Sequence, residues 1–157
     1  MSRIVVTGGA GFVGSHICEA LLARGDSVVA VDNFSTSRKE NVEHLIDHAG
    51  FDLVVADVVA GIPVEGRVDG VLHLASPASP PEYLAMPLET LDVSSIGTRK
   101  ALDLARAYDA TFLLASTSEI YAIRSCTLRP RVTSVTSTPS ARGRSTTRPS
   151  ASARRSP

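Results

Sequence analysis

The run Thr7-Gly8-Gly9-Ala10-Gly11-Phe12-Val13-Gly14 sets glycines at every third position, Gly8, Gly11 and Gly14, between an apolar run and a helical pattern. Each glycine answers a physical need. Gly8 allows a tight turn, Gly11 lets backbone N–H groups approach an anion, and Gly14 lets a helix pack close to a sheet. The helix that follows opens with N–H groups lacking an intrahelical partner, and with the positive end of its dipole. A pyrophosphate is the ligand such a turn accepts, and Phe12 and Val13 lie in that first turn. Asp32 arrives 18 positions after Gly14, at the end of a second apolar run. A carboxylate there accepts hydrogen bonds from adenosine ribose hydroxyls and repels a 2′-phosphate, so NAD is favoured over NADP. Arg38 and Lys39, close by in the chain, work against that preference.

The elements that must hold these groups are short. Arg3–Thr7, Ser27–Val31, Leu53–Ala56, Gly70–Leu74 and Thr111–Ala115 read as five buried strands. Phe12–Arg24 carries Val13, Ile17, Ala20, Leu21 and Leu22 at helical spacing, and Gly25 stops it. Helices are also expected over Lys39–His48 and Thr90–Tyr108, and a proline-rich loop over Ser76–Pro87. Strands alternating with helices predict an α/β fold: part of a doubly wound Rossmann domain, its parallel sheet in the order 3-2-1-4-5. Ligands of such sheets bind at the carboxyl edge. That edge brings in Asp57 and Val58 after strand three, where they bracket an adenine or are an ordinary strand end. It also brings in Leu74, Ala75 and Ser76 after strand four. His73, on an apolar strand, reads as a packed core residue rather than a catalyst.

Composition narrows the function classes. The 157 residues sum to zero net charge. All 16 acidic residues and half of the 16 basic ones lie in residues 1–121, whereas residues 122–157 hold the other half, all arginine. No apolar run is long enough to span a membrane. The N-terminus reaches glycine too soon for a secretory signal, so a cytoplasmic location is expected. Cys18 and Cys126 make neither a disulfide framework nor a metal site. Tryptophan is absent and aromatics are few, which argues against a base-stacking, nucleic-acid-binding surface.

Four runs together resemble the extended short-chain dehydrogenases/reductases, the NAD-dependent epimerase/dehydratase group. They are Thr7–Gly14, Asp32-Asn33-Phe34, His73–Pro81 and Ala115–Tyr121. The His-Leu-Ala-Ser-Pro-Ala-Ser-Pro-Pro run and Ser116-Thr117-Ser118-Glu119 are most similar to UDP-glucuronate decarboxylases. The resemblance covers residues 1–121, the N-terminal portion of such a protein. It implies NAD as cofactor, with contacts at Asn33 and Phe34 besides those named above. It implies UDP-glucuronate as substrate, converted to UDP-xylose through transient oxidation at the sugar C4, and a homodimer. It also gives Thr117 a hydrogen bond to the C4 oxygen and places Ser118 and Glu119 around the sugar. Other sugar-nucleotide epimerases or dehydratases, or a non-catalytic NAD-binding module, stay open.

Two departures accompany the resemblance. The family's Lys-Thr-Asn is replaced by Asp92-Val93-Ser94, and Asp92 cannot do electrostatically what a substrate-contacting lysine does. The family's Tyr-x-x-x-Lys pair is missing. Four places after Tyr83, Tyr108 and Tyr121 stand Pro87, Phe112 and Ser125, so the chain as written is expected to be inactive.

Residues 122–157 are mostly Ser, Thr, Arg, Pro and Ala, without strand or helix period. Such a segment buries too little to offset its chain entropy, and is expected to be disordered. Regrouping its codons one base earlier gives a different reading. Thr146–Ser150 then permits Tyr-Asp-Glu-Ala-Lys, Ser134–Ala141 permits Gly-Asn-Val-Asn-Pro-Ile-Gly, and Ala122–Ser125 permits Gly-Asp-Pro-Leu. These are the continuations the resemblance implies. The expectation is a base missing near the codon for Ala122, with out-of-frame translation after it. The competing reading, a basic arm for nucleic acid or an acidic partner, lacks the lysines and aromatics of such arms.

Overall fold

The computed structural model describes residues 1–117, of which Met1–Thr117 form one compact unit. Five strands, β1 (Arg3–Thr7), β2 (Ser27–Asp32), β3 (Phe51–Val55), β4 (Gly70–His73) and β5 (Thr111–Leu114), form one sheet in the order β3-β2-β1-β4-β5. Every neighbouring pair is parallel. The expected fold class and strand order are therefore found.

The period of two along the strands sorts their side chains into two layers. Ile4, Val6, Val28 and Ala30 face the layer containing Cys18, Leu21 and Leu22 of α1 (Phe12–Ala23). Val5, Val29, Val31 and Val71 face the opposite layer, with Ala101 and Ala105 of α4 (Thr98–Ala107). The register sets Val5 between Val29 and Val71, so three β-branched side chains stack across the sheet centre, all essentially inaccessible to solvent.

Two carboxylates latch the start of β1. Asp26 accepts from the Ser2 N–H at 2.9 Å, and Asp69 from the Arg3 N–H at 2.7 Å. These backbone hydrogen bonds, helped by Arg24 and Arg67 respectively, hold both carboxyls below the usual Asp range.

Three connections differ from expectation. The span Lys39–His48 is not an α-helix but two 3₁₀ turns, Lys39–Asn41 and Glu43–Leu45. Only Val42 and Leu45 need burial there, and the Asn41 amide donates to the Ala10 carbonyl at 2.8 Å, pinning the segment by tertiary contacts. Within Ser76–Pro87, Pro80–Ala85 forms a short helix, α2. Proline supports this because its fixed φ suits a helix's first turn, where no N–H is needed. Thr90–Tyr108 is not one uniform helix. A second short helix, α3 (Pro87–Asp92), passes through a π turn at Val93–Gly97 into α4. Hydroxyls of Thr90, Ser94, Ser95 and Thr98 each donate to the carbonyl four residues earlier, at 2.6–2.8 Å. Such back-bonds compete for helix carbonyls and favour bending. Gly97 closes the π turn against the chain after β3; a Cβ there would stand 2.9 Å from Val58 Cγ2.

At β5, Leu113 and Leu114 are about half exposed. Among the described residues no helix is long and apolar enough to cross a membrane.

Candidate dinucleotide site

The glycine turn is built from steric exclusion. Gly8 takes φ +71°, a left-handed conformation that disfavours other residues, and a Cβ on it would meet the Ala75 nitrogen at 2.8 Å. Gly14 is tighter: a Cβ there would lie 2.0 Å from the Gly8 carbonyl oxygen. Hydrogen bonds close the turn, from Gly8 N–H to the Val31 carbonyl at 2.8 Å and from Gly11 N–H to the Gly8 carbonyl at 3.1 Å. Gly11 is the N-cap of α1, and no side chain caps that helix. Its first N–H groups thus face a ligand position without a side-chain competitor, the arrangement that receives phosphate oxygens.

Asp32 sits at the end of β2 and is almost buried. One carboxylate oxygen accepts from the Ala10 N–H at 2.9 Å, the other from the Phe34 N–H at 2.9 Å and the Ser37 hydroxyl at 2.7 Å. A carboxylate offers about four acceptor positions, so about one remains for an incoming hydroxyl. The bond to Ala10 joins the glycine turn to the end of β2 directly. Phe34 adopts φ +57°, which turns its N–H back onto Asp32. Asn33 bridges outward, its amide donating to Asp57 at 3.3 Å.

A cavity of about 400 Å³ opens along the carboxyl edge of the sheet. Gly8, Gly11, Asp32, Asn33, Asp57, Val58, Leu74, Ala75 and Ser76, all expected from the sequence, line it together. Four of the five strand ends therefore converge on one space. Phe12, Val13, Gly14 and Phe34 are not among the lining residues. Gly14 acts through packing and Phe34 through its backbone, while the side chains of Phe12 and Val13 are exposed. Thr117, named as a sugar contact, ends the described residues and does not line the cavity; Ser118 and Glu119 lie outside the described residues. So do residues 122–157 and the frame question attached to them.

The structure also recruits residues that the sequence did not mark. Ser35, Thr36 and Ser37 form one wall, and Met86 and Glu89 another, beside Asp92 and Val93. A cluster of hydroxyls directly after Asp32 was the available signal for the first group. Nothing local marked Met86 or Glu89, which reach the cavity only because the α3–α4 crossover returns over the sheet. The charged residues lining the cavity are Asp32, Asp57, Glu89 and Asp92, all acidic. Phosphate binding must therefore come from backbone N–H groups and the helix dipole, and a ligand phosphate near Asp32 is disfavoured.

His73 is 2 % exposed and packed, as expected, not presented to the cavity. Desolvation holds its pKa below the usual histidine value, offset in part by a hydrogen bond to the Val93 backbone. Among the described residues no group of His, Cys, Asp and Glu could hold a metal ion.

A parallel sheet in this order, a glycine turn at a helix N-terminus and a carboxylate at the end of β2 define a dinucleotide-binding α/β unit of the Rossmann type. The chain belongs to the NAD dependent epimerase/dehydratase family, whose model matches residues 4–146. It is 54% identical over 119 residues to UDP-glucuronic acid decarboxylase 1 of Danio rerio, covering 76% of this chain and 28% of that protein. UDP-glucuronic acid decarboxylase 4 of Arabidopsis thaliana is 52% identical over 119 residues, covering 76% and 26%. The chain thus spans about a quarter of the length of these curated relatives. Among solved structures it resembles a UDP-N-acetylglucosamine 4-epimerase from Methanobrevibacter ruminantium M1 in complex with UDP-N-acetylmuramic acid. That likeness has a TM-score of 0.69 at 27% identity, covering 83% of this chain and 43% of the other. A UDP-glucose-4-epimerase from Stenotrophomonas maltophila with bound NAD and formylated UDP-arabinopyranose gives a TM-score of 0.67 at 27% identity, covering 81% and 40%. The family's cofactor is NAD, and the residues present fit it: an uncapped helix N-terminus beyond a glycine cradle that a Cβ would fill, and an acid at the end of β2 with acceptor capacity left for a hydroxyl.

Proposed function

We propose that residues 1–117 are the NAD-binding part of a sugar-nucleotide-modifying enzyme, with UDP-glucuronate as substrate and decarboxylation to UDP-xylose as the reaction. The observation that carries the cofactor half is the Asp32–Ala10 hydrogen bond, which couples the ribose acceptor to the pyrophosphate turn inside one cavity. The substrate half is supported by the identity to UDP-glucuronic acid decarboxylases. When bound, NAD supplies reversible hydride acceptance, and the chain supplies its placement. Gly8, Gly11 and the first N–H groups of α1 hold the pyrophosphate. Asp32 takes a ribose hydroxyl, and Asp57 and Val58 flank the adenine. Leu74, Ala75 and Ser76 line the path away from Asp32 toward the substrate. Thr117, Ser118 and Glu119 are assigned to the sugar.

A second reading is favoured by one sequence fact: no tyrosine of the chain has a lysine four positions later. In that reading the chain as written is a dinucleotide-binding module without turnover. The presence of Asp92 where relatives of the decarboxylase type place lysine also leaves another sugar-nucleotide epimerase or dehydratase activity as an outcome. We further infer that a base is missing near the codon for Ala122 and that the tyrosine and lysine codons lie downstream in the other frame.

Calorimetric titration with NAD and NADP tests the cofactor claim; NAD must bind, and more tightly than NADP. Incubation with UDP-glucuronate, followed by chromatography for UDP-xylose, separates the two readings: product means an enzyme, and NAD binding without product means a module. The DNA across codon 122 decides the frame. If the alternative frame does not encode Tyr-x-x-x-Lys, the inference of a missing base is wrong.

A further inference from the structure

Ser37 lines the cavity, and the cofactor assignment gives it no role. Its hydroxyl donates to Asp32 Oδ1 at 2.7 Å, and the Phe34 N–H donates to the same oxygen at 2.9 Å. A carboxylate has about four acceptor positions, two on each oxygen, so Oδ1 is full. Among the described residues Oδ2 accepts from the Ala10 N–H alone, at 2.9 Å. The acceptor position left to a ligand is therefore on one oxygen, Oδ2.

The loop that carries Ser37 is tied at both ends. At its start, Phe34 takes φ +57° and turns its N–H back onto Asp32. At its end, the Asn41 amide donates to the Ala10 carbonyl at 2.8 Å. Ser37 thus reaches Oδ1 from a segment fixed against the glycine turn. The neighbouring acceptor is spent as well. The Asn33 side-chain carbonyl accepts from the Ser35 N–H at 3.1 Å and from the Ser35 hydroxyl at 2.7 Å, which fills its two positions. An adenosine ribose offers two adjacent hydroxyls, at C2′ and C3′, and a carboxylate with both oxygens open can accept from both.

We propose that Ser37 is a specificity-determining residue of the dinucleotide site: by occupying Asp32 Oδ1, it leaves the carboxylate able to accept one ribose hydroxyl rather than two. That hydroxyl is the 2′, the one an acid at this place in the fold reads. The 3′-hydroxyl is left to the neutral hydroxyls of Ser35 and Thr36, which line the same cavity. A hydrogen bond to a charged acceptor contributes more than one between neutral groups, so the two ribose hydroxyls contribute unequally. The inference rests on the reading that NAD binds this cavity with its adenosine ribose at Asp32.

The test uses the full 157-residue chain. Calorimetry at neutral pH measures the affinity for NAD and for its two analogues lacking the 2′- or the 3′-hydroxyl of the adenosine ribose. The proteins are the native chain, Ser37→Ala and Ser37→Thr, with folding checked by circular dichroism. In the native chain, loss of the 2′-hydroxyl weakens binding by about 30-fold and loss of the 3′-hydroxyl by about threefold at most. This contrast tests the proposal without any substitution. Ser37→Ala opens Oδ1, so the 3′-hydroxyl then counts too, and its removal costs about tenfold. Ser37→Thr keeps the hydroxyl and restores the native contrast. Equal losses for the two analogues in the native chain overturn the proposal. So does a folded Ser37→Ala that binds all three ligands more weakly by the same factor, the result expected of a Ser37 that only braces the loop. A native chain that binds none of the three removes the cofactor reading and this inference with it, whereas NAD binding with equal losses removes the Ser37 inference alone.

Discussion

Gly14→Ala is the most discriminating single substitution for the dinucleotide turn. The added Cβ would lie 2.0 Å from the Gly8 oxygen and 2.9 Å from the Gly9 Cα. Both obstacles are backbone, so no rotamer change relieves them. Ordinary contact needs more than 3 Å, so α1 must move off the turn by about 1 Å against a close-packed layer. That movement stretches the Ser15-to-Gly11 and Gly11-to-Gly8 hydrogen bonds, now 2.9 and 3.1 Å. Overpacking of this kind costs about 1–3 kcal/mol, and the upper end applies when backbone must shift. For a domain of this size, about 3 kcal/mol corresponds to a fall in Tm of roughly 10 °C. The same displacement moves the helix N-terminus away from the pyrophosphate position, so NAD affinity falls at least tenfold. Two controls separate crowding from backbone conformation. A Cβ at Gly11 meets only the Gly8 oxygen at 3.2 Å, so Gly11→Ala is mild in stability and acts mainly on NAD binding. Gly25 has φ +88° with open space around it, so Gly25→Ala costs about 1 kcal/mol from conformation and leaves NAD binding intact. Thermal denaturation and NAD titration of the three variants measure this. A Gly14→Ala chain with native Tm and native NAD affinity would refute the steric account of the turn.

Other substitutions address separate parts of the molecule. Asp32→Ala strips partners from the Ala10 and Phe34 N–H groups, the former wholly buried, and should cost about 2–4 kcal/mol in urea denaturation while abolishing measurable NAD binding. The lowered pKa values of Asp26 and Asp69 mean that the folded state binds protons less readily than the unfolded one. Their stabilisation is complete above the unfolded carboxyl value of about 3.9 and is lost as pH falls below it. Asp69→Asn should flatten part of that acid limb in denaturation curves taken from pH 5 to pH 2. Burial pushes the Cys18 thiol up to about 12, so in a Cys126→Ser background alkylation at pH 8 should proceed only as the chain unfolds. Alkylation of the folded chain at a free-thiol rate would contradict that burial. Val71→Ala removes buried methyl groups from the sheet centre and should cost about 2 kcal/mol.

The strands were legible because burial on both faces of a parallel sheet forces near-continuous apolar runs rich in Val, Ile and Leu, as in Ile4–Val6, Val28–Val31 and Val71–Leu72. The glycine turn was legible because only glycine satisfies its sterics, and Asp32 because its distance from that turn is set by one helix and one strand. Local pattern failed where tertiary contacts outweighed propensity. The apolar residues Val42, Leu45 and Ile46 look helical in sequence. Yet Ile46 is exposed, and the segment needs only two anchors and the Asn41–Ala10 bond, so two 3₁₀ turns suffice.

The sequence by itself marked the class of ligand, the strands and the acid at the end of β2, because each depends on residue type at short separation. The tertiary structure alone decided which residues share the cavity. Glu89, Asp92 and Val93 reach it only because the crossover helix packs back over the sheet, with Gly97 leaving no room for a side chain against Val58. It alone decided that Asp32 is tied to Ala10, Phe34 and Ser37 before any ligand arrives. And it joined Thr7 and His73, whose contact exists only once β1 and β4 have paired.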